Sequence, residues 1–241
     1  MTGPGGQLER PEAHPHTHGD VAGGWLRAAV FGAMDGLVTN TALVAGVGGG
    51  GASAHAVVLS GVAGLAAGAI SMALGEYTSV STQNEQLDLE VAKERRELAL
   101  NPEGEQAELA QLWEDRGLEP ELARTVAEQL SRDPELALRV HALNELGLDP
   151  DDKPSPWTAA ISSFFCFAVG ALIPLLPYLL GAPHLWLALL FGGVGLIAAG
   201  ALSARFTPRP WWSAGLRQLL FGAVAAGATY LIGTAIGVGT G

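Results

Sequence analysis

One carboxylate stands in the middle of an apolar stretch: Asp35, in Gly32-Ala-Met-Asp-Gly36. An ionisable side chain at such a position is costly to hold and marks a functional site by default. A carboxylate can take a divalent cation when ionised and release it when protonated, so metal and proton compete for it. Met72 and Glu76 are four residues apart and share one helix face. There a carboxylate suits hard cations, and a thioether one turn away adds preference for softer transition metals. Further carboxylates recur at helical spacing: Glu90, Glu94 and Glu97, then Glu105 and Glu108, then the pair His141 and Glu145. Oxygen and imidazole donors of this kind can ligate a divalent ion. Lys93, Arg95 and Arg96 interleave with the first set, however, so spacing alone leaves a metal site and a solvated, salt-bridged face equally open.

These groups sit in two different settings. Residues 85–153 hold 19 of the 24 acidic and 8 of the 13 basic residues, so this block alone accounts for the net charge of −11. The flanks balance at zero and are strongly apolar. They contain five stretches of about the ~20 residues that a helix needs to cross a bilayer: Trp25–Val47, Ala54–Gly75, Trp157–Leu180, His184–Ala204 and Leu216–Val238. The fold class expected is an all-α membrane protein with five transmembrane helices and a helical domain inserted between the second and third. The parts expected are a disordered tail over 1–24, transmembrane helices 1–2 over 25–82, an acidic helical metal-binding domain over 83–153 and transmembrane helices 3–5 over 154–241. The first apolar run follows a polar lead of more than twenty residues and is too long for a secretory signal core.

Lys and Arg set the orientation. The loops after the first and third spans carry none. Arg10 and Arg27 precede the first span, Lys93, Arg95 and Arg96 follow the second, and Arg205, Arg209 and Arg217 lie around the join of the fourth and fifth. The tail and the acidic insert are therefore expected in the cytoplasm, with the C-terminus outside. The Ala/Gly/Arg bias suggests a bacterial inner membrane.

The insert reads as four helices: about Gln83–Leu100, Glu103–Arg116, Pro120–Arg132 and Pro134 to Gly147. Their breaks fall at Asn101-Pro102, Gly117, Glu119-Pro120 and Asp133-Pro134. Leu109, Leu112 and Trp113 give the second an apolar stripe. In the spans, Gly32 and Gly36 form a small-xxx-small pair, Gly61, Gly64 and Gly68 a second small-residue row, and Pro174 and Pro177 a break in the third span. Trp211 and Trp212 are placed as interfacial anchors. The tail's His14, His16 and His18 read as a solvated tract with loose metal-binding capacity.

Several activities are excluded by missing motifs. No His-Glu-x-x-His, Glu-x-x-His or Walker sequence is present, which argues against a zincin, a di-iron bundle of that design and a nucleotide-driven pump. The single Cys166 supports neither an intrachain disulfide nor a cysteine metal site and reads as a small core residue. No basic, aromatic-laced patch points to nucleic acid.

Asp35-Gly-Leu37, Ala67-Gly-Ala-Ile-Ser-Met-Ala-Leu-Gly-Glu-Tyr77, Glu145-Leu-Gly-Leu148 and Gly170-Ala-Leu-Ile-Pro-Leu-Leu-Pro177, in this order around an acidic insert, resemble the vacuolar iron transporter family, in a bacterial-type form. The resemblance runs from Trp25 onward. It implies a homodimer whose first two helices line a central pathway, and export of Fe²⁺, with Mn²⁺ or related ions, from the cytosol in exchange for protons. It implies that Asp35 and Met72 are pathway ligands, that Glu76 lies at the cytoplasmic entrance, and that Glu94, Glu97, Glu105, Glu108 and Glu145 hold metal in the insert. This chain departs from the family in carrying His141 and Ala142 where a Met-Glu pair is common, and Gly64 where some members have a carboxylate. With His141 counted among the metal residues, the reading is a secondary transporter and not an enzyme. Its partners are divalent metal ions, protons, the bilayer and a second copy, and it has no prosthetic group. The rivals are a membrane-anchored metal buffer or sensor without transport, a membrane ferroxidase, and a transporter of something other than metal, such as an organic cation.

Overall fold

The computed structural model describes residues 24–239 apart from 146, 148 and 207; the His-bearing tail lies outside the described residues. All regular structure among the described residues is helical: α1 (Gly24–Gly49), α2 (Ala54–Leu100), α3 (Pro102–Asp115), α4 (Pro120–Leu130), α5 (Pro134–Glu145), α6 (Pro156–Leu172), α7 (Leu176–Leu179), α8 (Leu185–Ser203) and α9 (Trp211–Gly239), with 3₁₀ turns at Ile173–Leu175 and Ala204–Phe206. Five helical stretches are long and apolar enough to cross a membrane: Trp25–Gly49, Ala54–Leu100, Pro156–Leu179, Leu185–Ser203 and Trp211–Gly237. Each overlaps one of the five apolar runs of the sequence, the fifth beginning at Trp211, five residues ahead of the expected Leu216.

The second of these corrects one expectation. The second span and the first insert helix, read as separate units meeting near residue 82, are a single helix of 47 residues. The reason is local: between Gly75 and Asn101 the chain contains neither Gly nor Pro, so nothing interrupts the backbone ladder. At 1.5 Å per residue α2 is about 70 Å long, more than twice the hydrocarbon thickness, so its second half projects beyond the bundle. Ser53 caps its start by accepting the Ala56 amide, and Asn101 closes its end by donating its backbone N–H to the Glu97 carbonyl at 2.8 Å. The Asn101 side chain then accepts the Gly104 amide, so one residue ends α2 and begins α3.

Helix α1 packs against α2, α6, α8 and α9 and is the axis of the bundle. Close approach is made by glycine. A Cβ on Gly32 would stand 2.8 Å from the Ser163 carbonyl oxygen, and one on Gly36 would collide with the Phe167 carbonyl. Both partners advance by four residues, so α1 and α6 run parallel with their backbones in contact. The small-xxx-small pair thus seats α6. Gly46 and Gly50 meet Gly233 and Gly237 of α9 in the same way. The row on α2 has a different use: Gly61 and Gly68 receive the Leu175 and Phe167 side chains.

The third span breaks where Pro174 and Pro177 remove two amide donors. Asn40 of α1, 1 % exposed, donates its Nδ2 to the Ala171 carbonyl and satisfies backbone at that break. Outside the bundle, α3, α4 and α5 build a small core of Leu109, Ala110 and Ala127, with Trp113, Leu130 and Val140 packed on it. Arg95 of α2 holds α5 by a two-armed pair with Glu135 at 2.5 and 3.0 Å, and Lys153 pairs with Asp88 where the chain returns to the bundle.

Candidate metal centre

Three helices converge on His141. It belongs to the buried face of α5, with Ala137, Leu138 and Ala142, and is 0 % exposed. Helix α2 brings Glu94 and α3 brings Glu105, each 8 % exposed, and one donor atom from each of the three residues lies within 4.8 Å of the others. His141 Nδ1 stands 3.1 Å from Glu94 Oε1, 3.1 Å from Glu145 Oε1 and 3.9 Å from Glu105 Oε2. The ring makes one hydrogen bond, to Glu145. Glu94 Oε1 and His141 Nε2 are enclosed and have no hydrogen-bond partner.

That arrangement is short of positive charge. Nδ1 can hold at most one proton, which cannot satisfy carboxylates on both sides. A buried carboxylate oxygen without a donor is costly. Accordingly the Glu94 carboxyl is pushed up to about 7, first by burial and then by the negative charge of Glu145, with His141 pulling the other way. Burial, followed by the charge of Glu108, raises Glu105 as well. A proton or a cation relieves both. Oxygen donors with one imidazole nitrogen suit divalent ions such as Fe²⁺, Mn²⁺ and Zn²⁺ better than Cu⁺.

The remaining candidates of the insert stand around this core. Glu97 lines a pocket of about 50 Å³ with Glu90, Lys93, Glu94, Ala142 and Glu145. Glu108 is exposed one turn from Glu105 and acts on it through its charge. Ala142, fully buried beside His141, leaves room in that pocket where a longer side chain would project.

The candidates of the bundle are elsewhere. Asp35 is half-buried on α1, and Thr39 Oγ1 donates to its Oδ1 at 3.2 Å. Met72 is half-buried against Ala69, Phe167 and Ala171. Glu76, 9 % exposed, pairs with Arg27 of α1 at 3.3 Å. Glu94 lies eighteen positions after Glu76 along unbroken helix, about 27 Å away. The structure therefore gathers Glu94, Glu105, His141 and Glu145 into one cluster, with Glu97 and Glu108 at its edge, and keeps Asp35, Met72 and Glu76 apart from it.

Three residues at these sites were not singled out from the sequence for the contacts they make. Arg27 neutralises Glu76. Thr39 bonds Asp35, and Asn40 mends the broken span. For the last two a signal existed: Thr39-Asn40-Thr41 is a polar run in an otherwise apolar helix, one turn past Asp35.

A family model described as the VIT family matches residues 26–234. The chain is 39% identical over 237 residues to a vacuolar iron transporter of Acanthamoeba castellanii, covering 95% of this chain and 82% of that protein. It is 34% identical over 227 residues to vacuolar iron transporter 1 of Oryza sativa subsp. japonica (92% and 89% covered), and 32% identical over 216 residues to vacuolar iron transporter 1 of Arabidopsis thaliana (88% and 86% covered).

Proposed function

The chain belongs to the VIT family, and from that premise we propose that it is a secondary transporter carrying Fe²⁺, and Mn²⁺ as a second cargo, out of the cytosol in exchange for protons. The observation that carries this reading is the unpartnered, buried oxygen of Glu94 against His141, a site short of one cation. Glu94, Glu105, His141 and Glu145 take the ion, with Glu97 and Glu108 adding attractive charge at the approach. The rigid α2 runs from this cluster to Glu76 at the edge of the bundle and on to Met72. Asp35 is the carboxylate inside the membrane, and its exchange of metal for proton couples the two flows.

The iron substrate is supported by the relatives, which are vacuolar iron transporters. The distribution of Lys and Arg supports a cytoplasmic insert. Two copies with α1 and α2 facing across a shared pathway complete the transporter. The composition favours a bacterial inner membrane as its location.

The test is full-length protein in proteoliposomes with Fe²⁺ kept reduced outside and a pH dye inside. Iron uptake accompanied by loss of internal protons is expected. Metal binding without uptake would make the protein a buffer. Oxygen consumption on adding Fe²⁺ would make it a ferroxidase.

A further inference from the structure

We infer that the recess between the end of α8 and the start of α9 binds the headgroup of an anionic phospholipid, with Arg205 and Arg209 on the phosphate and the acyl chain along α8. The recess has a volume of about 700 Å³ and is lined by Ala198, Ala201, Leu202, Arg205, Arg209 and Trp211 among others. Both arginines are exposed, and among the described residues neither guanidinium has an ion-pair or hydrogen-bond partner. No acidic residue occurs in residues 154–241, and neither Arg205 nor Arg209 pairs with an acid from another described part of the fold, so positive charge at this recess is uncompensated.

Two further features select a lipid over a free anion, and a third strengthens the hold on the phosphate. Ala198 lies seven residues before Arg205, about 10 Å deeper along α8, so the wall beneath the charges is apolar. Leu202 and Trp211 are 58% and 63% exposed, which in a bilayer places an aliphatic and an indole side chain at headgroup depth. Helix α9 begins at Trp211 directly beside the arginines, so its amino-terminal dipole adds to the attraction for phosphate. A basic pocket between membrane helices with an apolar wall is the chemistry that recognises an anionic headgroup joined to acyl chains.

Full-length protein in mild detergent, titrated with phosphatidylglycerol or phosphatidylcholine and read by native mass spectrometry, tests the site. Phosphatidylglycerol is expected to remain bound in preference to phosphatidylcholine, and the Arg205→Gln/Arg209→Gln variant to weaken it by roughly thirty-fold, each arginine near a membrane surface contributing about fivefold. Arg124→Gln, a charge loss on α4, should leave binding unchanged, and Arg205→Lys/Arg209→Lys should retain most of it if the glutamine variant folds poorly. Equal retention of the two lipids, unchanged binding in the glutamine variant, or displacement of the lipid by millimolar inorganic phosphate would each overturn the assignment.

Discussion

His141 Nδ1 and Glu94 Oε1 stand 3.1 Å apart, each delivered by a different helix and both shut away from water. The pair is not a completed hydrogen bond, because the ring's bond goes to Glu145. The fold therefore holds a carboxylate beside an imidazole without supplying the charge that would settle either. A soluble helical insert with only packing to serve would bury Leu or Ala at these positions, as it does at Leu109, Ala110 and Ala127. A buried, unsatisfied pair is not what a solvated acidic face presents, and it is the feature on which the proposed metal site rests.

His141 is central to metal capture in the proposed site. His141→Ala is expected to weaken Mn²⁺ binding to the full-length protein by roughly 10- to 100-fold, at least the loss seen when an outer partner of a metal site is removed. Calorimetry with Mn²⁺, which does not oxidise as readily as Fe²⁺, reads this directly. Wild-type affinity in the variant would place the metal elsewhere.

Glu94 makes the metal-free insert sensitive to pH. Its carboxyl lies at about 7 in the fold and at 4.5 when unperturbed. Between those values the folded form holds more protons than the unfolded one, so stability falls as pH rises through that window, and the deficit is complete above about 7. Glu94→Gln should flatten this slope and protect the metal-free insert at pH 8. Hydrogen exchange of α3, α4 and α5, measured in chelator from pH 5 to 8, checks it; parallel profiles for the two proteins would refute it. Mn²⁺ replaces the proton, so its protective effect should grow across the same window.

The bundle was legible in the sequence because its signals are one-dimensional. Five apolar runs, Pro174 and Pro177, and the caps at Asn101 and Asp133 each act over a few residues. The join of membrane and insert was not, since an absence of breakers between Gly75 and Asn101 carries less contrast than a breaker does. In the insert, Glu94 and Glu97 looked equivalent by spacing. Packing of α3 and α5 on one side of α2 buries Glu94 and leaves Glu97 at the rim, a distinction that exists only between helices. Likewise Arg27 counted as a charge that sets orientation, and its pairing with Glu76 depends on the crossing of α1 and α2.

Gly36 fixes the contact of α1 with α6. Gly36→Ala would drive a methyl group into the Phe167 carbonyl and to 2.9 Å from the Ala171 amide. Overpacking of this kind costs about 1–3 kcal/mol. A lowered unfolding midpoint in detergent is expected, while Gly227→Ala, where a methyl group meets nothing within 4 Å, should leave it unchanged. Equal midpoints for the two variants would show that the helices can shift apart without loss.

In the proposed pathway Arg27 competes with the cation for Glu76. Its side chain is largely exposed and the pair is 3.3 Å long, so the interaction is of the modest surface kind. Arg27→Gln should leave Glu76 free to attract Fe²⁺ and lower the KM for uptake by up to about fivefold. Glu76→Gln should raise it. A KM unmoved by either change would remove Glu76 from the pathway.

Asp35 carries the coupling in the proposed mechanism, and two substitutions separate its charge from its shape. Asp35→Ala is expected to abolish Fe²⁺ uptake in proteoliposomes. Asp35→Asn, which can still take a hydrogen bond from Thr39, should abolish it equally, because the amide neither binds the cation as a carboxylate does nor exchanges a proton. Thr39→Val, by contrast, removes only a 3.2 Å hydrogen bond to Asp35 and should slow uptake by a few-fold. Metal binding at Glu94 and His141, about 27 Å of helix beyond Glu76, should survive all three. Near-normal uptake by Asp35→Asn would move the coupling step to another residue, and loss of Mn²⁺ binding along with uptake would mean that the variant fails to fold the insert.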